Sequence, residues 1–520
     1  MPRQIGMLAW SVVALVAVLV LGLVVGLGLY PRLNAGQHVV DGLRPAFAPA
    51  RVAGDTAAIT QVSKTVDVAD PIINDKGGAA AEVPKLVAFV SGKTGLPPAA
   101  VLSTLQGKFP YLTNLLVSLP LTASVNELPG LVSFLSTVLK VTPAELQTLL
   151  KTQFPALTQV IGALPQVTQG WDSVPGTESL TRFDGTPVRT VPDVRNYFAG
   201  DVIPAVRANE TNFSRVDTYW PPVRGIPILL TVIGLLVLLF ACVMFGRSAS
   251  GKVKAREALV SSTAVLVVGI VVLGLVFGLR LYPRLDGGAK LISSTQPIFT
   301  QDRVTGDVAA IKMVSSIVDA TDPIMTADGA AAPEVFKLVN AVAAKTGLSG
   351  PTVISTLQAR FPHVSALLLA LPLNQVSAEL PPLVAFLSST LKISPADLQA
   401  ALNTNFPKLS QVIANLPAVT DGWNAAPGTE GLTRFNGAPV RTMPQVRDYF
   451  AADVIPAVAA TRGDYNTLAT SSPILNVFPP LLTGIGILVV IYGIILIPLW
   501  GLDPGRRSIT AQHRGRPRTA

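Results

Sequence analysis

The sequence predicts an α-helical integral membrane protein with four transmembrane helices and two homologous, mainly α-helical exported domains, arranged as a parallel tandem repeat with pseudo-two-fold symmetry. Three observations carry that expectation. The stretch from Tyr30 to Val206 recurs as Tyr282 to Val458 at a constant offset of 252 residues, without a gap. Long apolar runs bracket both copies. Mean hydropathy is +0.50, with 49% hydrophobic and only 14% charged residues, which is far from an ordinary soluble composition.

The match is densest from Pro175 to Val206, where 25 of 32 positions equal those from Pro427 to Val458. Such a run exceeds chance and shared composition, so it reads as an internal duplication. Parallel repeats in membrane proteins are related by an axis along the membrane normal.

Crossing a bilayer takes roughly 20 apolar residues. Four segments meet that length, at residues 7–29, 226–245, 259–281 and 480–500. The first is too long for the apolar core of a cleaved leader, which runs about 7 to 15 residues, and reads as an anchor. The remaining partition follows: a cytoplasmic N-terminus at 1–6, an exported domain at 30–225, a basic cytoplasmic loop at 246–258, a second exported domain at 282–479, and a basic cytoplasmic tail at 501–520.

Orientation rests on charge. Arg247, Lys252, Lys254 and Arg256 fill the short loop, and Arg506, Arg507, Arg514, Arg516 and Arg518 fill the tail. Positive charge stays inside, so both termini face the cytoplasm of the cell membrane and both long regions lie outside. The region from Pro31 to Arg224 holds 16 basic and 15 acidic residues, and that from Tyr282 to Pro479 holds 13 and 14, so each is almost neutral. The net charge of +9 therefore serves topology, and a nucleic-acid partner is not expected.

A smaller repeat lies inside each copy. Leu86 to Pro120 aligns with Leu131 to Pro165 at an offset of 45, and Leu338 to Pro372 aligns with Leu383 to Pro417. Each cassette reads as a helical hairpin. Thr142-Pro-Ala-Glu145 and Ser394-Pro-Ala-Asp397 carry a hydroxyl cap, proline and an acid in the order that starts a helix. Phe-Pro pairs end these helices and start the next at Pro110, Pro155, Pro362 and Pro407, and Leu-Pro pairs are expected to close the four short helices. Asp184-Gly185 and Asn436-Gly437 suit a two-residue hairpin turn, so a small β-ribbon is expected in each copy.

Candidate contact residues lie around that ribbon: Trp171, Arg182, Arg189 and Arg195, with Trp423, Arg434, Arg441 and Arg447 in the second copy. Arginine beside aromatic rings suits a phosphate, a carboxylate or an acidic partner, and equally an internal set of ion pairs. Asp67, Asp70, Asp319 and Asp322 form carboxylate pairs at i, i+3, with Asp55 and Asp307 upstream. Such pairs suit calcium, acid/base chemistry or helix-end capping. Gly22-x-x-x-Gly26 and Gly274-x-x-x-Gly278 suit close helix packing.

No histidine recurs between copies, and no nucleophile elbow, phosphate loop or zinc-binding helix motif occurs. No cofactor, metal site or catalytic residue is assigned. The leading expectation is a non-enzymatic bacterial envelope protein whose paired helical lobes bind a partner protein, self-associate or support a membrane assembly. A lipid-binding or lipid-transfer role, with an acyl chain in or between the lobes, is the alternative, and a carboxylate-dependent hydrolase is third.

Overall fold

A computed structural model describes residues 2–73, 78–250, 255–325, 331–470 and 472–501. Helix is the only regular secondary structure among them, apart from isolated bridges at Thr181–Pro187 and Thr433–Pro439. The basic residues Lys252, Lys254 and those of the tail from Arg506 onward fall outside the described residues.

Four helices are long and apolar enough to cross a membrane, over Gly6–Gly26, Gly225–Ala249, Val260–Gly278 and Asn476–Leu496. They belong to one compact unit, made of residues 1–47, 208–299 and 458–520. The Tyr30 hydroxyl donates to Thr231 Oγ1 at 2.8 Å, and the Tyr282 hydroxyl meets Thr483 Oγ1 at 3.0 Å, so the helix that follows the first apolar helix is tied to the second, and the helix that follows the third is tied to the fourth. Trp10 Nε1 donates to Ser261 Oγ at 3.0 Å, joining the first span helix to the third.

The glycine expectation needs correction. A Cβ at Gly22, Gly26, Gly274 or Gly278 would meet no atom within 4 Å, so these four are not the packing points inside this chain. Close approach occurs instead at Gly269, whose Cβ would lie 2.9 Å from the Val490 backbone nitrogen, and at Gly493, 2.9 Å from that of Leu266. Their spacing lies outside a four-residue motif, which is why the motif missed them.

The second unit comprises residues 48–207 and 300–457. It contains the cassettes, and their helix boundaries follow the proline pattern. Pro98–Lys108 and Pro143–Gln153 end at Phe109 and Phe154, and helices restart at Pro110 and Pro155. The second copy does the same at Phe361-Pro362 and Phe406-Pro407. Thr142 and Glu145 form a reciprocal capping box, and Ser394 Oγ accepts from Asp397 N at 3.1 Å.

Two of the four expected Leu-Pro closures are absent. Helices Pro110–Ser118 and Pro362–Leu369 stop before theirs, whereas Pro155–Trp171 runs through Pro165 and Pro407–Asn424 runs through Pro417. A helix-interior proline costs about 3 kcal/mol. Burying one tryptophan, about 150–250 Å² at about 25 cal/mol per Å², returns roughly 4–6 kcal/mol. Trp171 and Trp423 are 1% and 0% exposed at the ends of those longer helices, so burial outweighs the proline.

The ribbon expectation is also corrected. Gly185 N donates to Arg182 O at 3.0 Å and Arg182 N donates to Thr186 O at 2.8 Å, which encloses a three-residue loop. Only Gly185 and Gly437 there take positive φ, both at 88°. A turn followed by one left-handed glycine is the three-residue hairpin form, and the arms carry one bridge each instead of a strand.

Cassettes do not pack only within their own copy. One core joins Leu86, Val101, Phe109 and Leu112 to Leu383, Leu398, Phe406 and Trp423, and another joins Leu131, Leu146 and Leu157 to Val335, Val339 and Val353. In each, the first cassette of one half of the chain meets the second cassette of the other. Sequence adjacency would have gathered 30–225 and 282–479 into separate lobes; the unit instead draws on both.

Candidate functional site

The two sets of residues singled out in the sequence turn out to be partners of each other. Trp171 Nε1 donates to Asp70 Oδ1 at 2.9 Å, and Trp423 Nε1 donates to Asp322 Oδ1 at 2.8 Å. Arg195 pairs with Asp67, and Arg447 pairs with Asp319 and with Asp448. The carboxylates of each i, i+3 pair therefore hold different side chains and do not converge on a shared ligand. Among the described residues no group of three or more His, Cys, Asp or Glu side chains is placed to hold a metal ion.

Arg182 grips Asp201 through two bonds, Nη2 to Oδ1 at 2.8 Å and Nε to Oδ2 at 3.1 Å, and Arg434 grips Asp453 through two at 2.9 Å. This fork holds the Asp453 carboxyl below its ordinary range. A π-helical turn, Phe198–Val202 or Phe450–Val454, carries each aspartate to its arginine. Arg189 donates to the Thr177 carbonyl, and Arg441 donates to that of Thr429 at 2.7 Å. The arginines around the ribbon thus brace the chain.

The structure adds a buried group beside them. Asp55 and Asp307 are 4% and 2% exposed, and each faces a tyrosine hydroxyl from the other copy, Tyr449 and Tyr197 respectively. Neither pair reaches full hydrogen-bond geometry, so Asp55 Oδ1, Asp307 Oδ1 and both hydroxyls are without a bond. Burial pushes both carboxyls up to about 7. Alongside, Arg51 donates to the Thr433 and Arg434 carbonyls, both at 2.9 Å, and sits 5.3 Å from the Phe435 ring centroid. Arg303 repeats this on Thr181, Arg182 and Phe183. A Cβ at Gly54 or Gly306 would come within 2.8 Å of Leu432 or Leu180, so these glycines permit the approach.

Sequence reasoning also missed four glutamates. The helix beginning at Pro407 receives the Glu82 carboxylate on Leu409 N at 2.8 Å, and that at Pro155 receives Glu334 on Leu157 N at 2.7 Å. The helix at Pro362 receives Glu127 on Val364 N at 2.8 Å, and that at Pro110 receives Glu379 on Leu112 N at 2.8 Å. A helix opening on Phe-Pro has no hydroxyl cap of its own, so its first N–H groups are left open. In every case the other half of the chain supplies the acid. The signal was present: Glu82 and Glu127, like Glu334 and Glu379, stand 45 residues apart and recur at 252.

Two small apolar cavities and one open groove lie among the described residues of this unit. A cavity of about 40 Å³ lies among Ile59, Val62, Val194, Ile311, Val314 and Val446, and each lining side chain has its counterpart 252 residues away. Another of about 30 Å³ lies beside Leu131 and Leu338. An open groove of about 550 Å³, of mixed polar and apolar lining, runs between Gln166, Gln169, Pro175, Lys312, Met313 and Ser316. At the corresponding place in the other copy, Gln61 Nε2 donates across to the Ala418 carbonyl at 3.1 Å.

Comparison with protein-family models, with curated proteins and with solved structures finds no match for this chain.

Proposed function

We propose that this chain is a bacterial cell-envelope scaffold: a tandem duplication whose two copies share one exported helical unit that binds a partner protein or supports a membrane assembly. Both termini face the cytoplasm in this reading, and the copies are related by a pseudo-two-fold axis along the membrane normal. The observation that carries it is the mutual consumption of the reactive groups. Trp171 and Asp70, Arg195 and Asp67, Arg182 and Asp201, with their counterparts, are bonded to each other. Groups held in this way stiffen a body and are not free to hold a substrate, which also disfavours the hydrolase. Catalysis needs a positioned nucleophile, acid or base within reach of a reacting atom.

The small cavities favour the scaffold over an acyl-chain carrier. Ligand pockets ordinarily run to about 300–1,000 Å³. Two apolar cavities of the cassette unit hold only about 40 and 30 Å³, and the larger groove beside them is open and carries Gln166, Gln169 and Lys312. Purification of the full chain in mild detergent, followed by native mass spectrometry, tests the reading. A defined protein partner or self-association supports it; a lone monomer across the working concentration range overturns it.

A further inference from the structure

Arg284 is 1% exposed, in the unit that carries the spans. Among the described residues its Nε and Nη1 have no hydrogen-bond partner, and Nη2 reaches only the Val216 carbonyl at 3.5 Å. Arg284 is among the residues around a cavity of about 50 Å³, together with Leu33, Val40, Val223, Ile226, Leu291 and Tyr465. A guanidinium does not lose its proton under protein conditions, so burial cannot be relieved by neutralisation. An unpaired charge held out of water is strongly unfavourable, and an opposite charge is the remedy. Asp217, next to Val216, is already bonded to Arg44 at 2.6 Å.

The surroundings indicate what supplies the missing anion. Arg284 lies six residues past Gly278, where the third span ends, and across from Ile226, where the second begins. Tyr30 and Tyr282 follow the first and third spans, and Trp220, 84% exposed, precedes the second. Amphipathic rings at span ends mark the headgroup level of a bilayer. Arg280, one turn before Arg284, lies 4.7 Å from the Tyr219 ring centroid. It occupies a left-handed backbone conformation, φ 51°, where the first copy has Gly28 at 56°. A non-glycine residue is strained there. The helix Leu281–Thr295 opens at this point without a side-chain cap, and a helix N-terminus favours negative charge. Arg32, the counterpart of Arg284, likewise has a buried Nη1 without a partner.

We propose that Arg284 is the anchor of a phosphate-group binding site at the outer ends of the spans, with a weaker equivalent at Arg32. The ligand is a phosphate oxyanion, carried either by the diester of an anionic phospholipid or by phosphate in solution. The cavity is too small for a whole headgroup. Only anionic oxygens enter it, while any acyl chains stay in the bilayer along the spans. This site is separate from the scaffold reading and stands whether or not a protein partner exists.

The test uses the full chain in nanodiscs of phosphatidylcholine with or without phosphatidylglycerol, and native mass spectrometry after release. The wild type should retain phosphatidylglycerol over phosphatidylcholine. Arg284→Gln should lower that retention about tenfold or more, the worth of a charge-assisted bond, while Arg284→Lys keeps part of it. A parallel arm adds inorganic phosphate to phosphatidylcholine nanodiscs and follows thermal unfolding. A rise in melting temperature in the wild type that Arg284→Gln abolishes assigns the site to soluble phosphate. The wild-type arms need no variant to fold. No lipid preference together with no response to phosphate overturns the site, as does equal retention by wild type and Arg284→Gln with neither responding to phosphate.

Discussion

The cassette unit and the span unit treat buried charge differently. In the cassette unit Glu82 and Glu334 are 9% and 6% exposed, and each carboxylate sits on the open N–H groups of a helix from the other half of the chain. Asp55 and Asp307 lack a full bond, yet a carboxyl can take up a proton and become neutral, and burial pushes both toward doing so. Arg284 in the span unit has neither a partner for two of its nitrogens nor a neutral form to retreat to. A buried acid can resolve its own desolvation, whereas a buried arginine points outward to a ligand.

That contrast can be sharpened from its strongest element downward. Trp423→Ala should destabilise the protein by about 3–5 kcal/mol, the usual cost of emptying a buried tryptophan site, and should leave Asp322 without its donor. Chemical denaturation monitored by far-ultraviolet circular dichroism would show it. An effect below about 1 kcal/mol would mean that Trp423 is not part of a packed core.

Glu334→Ala should cost about 1–3 kcal/mol, because Leu157 N–H is then buried without a partner. Glu379→Ala should cost less, since Glu379 is only half-buried where it meets Leu112. Equal costs in melting experiments would break the assignment of cap strength to burial.

The aspartates give a signed pH dependence. Asp55 and Asp307 bind their protons more tightly when folded, up to about 7 against an ordinary 3.8. Their stabilising contribution is therefore complete below the ordinary aspartate range and is lost as pH rises through about 7. Stability measured from pH 5 to pH 8 should fall in the wild type, and Asp55→Asn with Asp307→Asn should flatten that slope. A wild-type profile that is flat from pH 5 to pH 8 and unchanged by the two substitutions would show that both are ionised in the fold.

The smallest effects belong to the span glycines. Gly274→Ala should not destabilise and should gain up to about 1 kcal/mol of helix propensity, since its Cβ meets no atom within 4 Å. Gly493→Ala should be clearly destabilising, with the Leu266 backbone 2.9 Å from the new carbon. Reversed ranking in detergent unfolding would remove the packing scheme.

How much of this could be read beforehand depended on whether the signal was local. Phe-Pro junctions and the Thr142–Glu145 cap are short-range patterns that appear where the spacing put them, and four apolar helices are present, with bounds shifted by up to four residues from those expected. Asp70, Asp67 and Asp319, which hold Trp171, Arg195 and Arg447, lie 101 or 128 residues from them, and no spacing rule connects them. Glu334 and Leu157 are 177 residues apart, although the 45-residue recurrence of the glutamates was visible as a pattern without a stated role. Arg284 is silent in sequence, because burial and the absence of an acid are both tertiary facts.

The central claim is that the cassette core is shared between the two halves of the chain, and splitting the chain tests it most directly. Residues 1–250 and 255–520 would be produced as separate polypeptides, alone and together, and compared by co-purification and circular dichroism. The shared cores and the four crossed glutamate caps predict that the co-produced halves purify as a one-to-one complex with the helix content of the intact chain, while each half alone is poorly folded. Two halves that fold independently, with full helix content and no association, would contradict it.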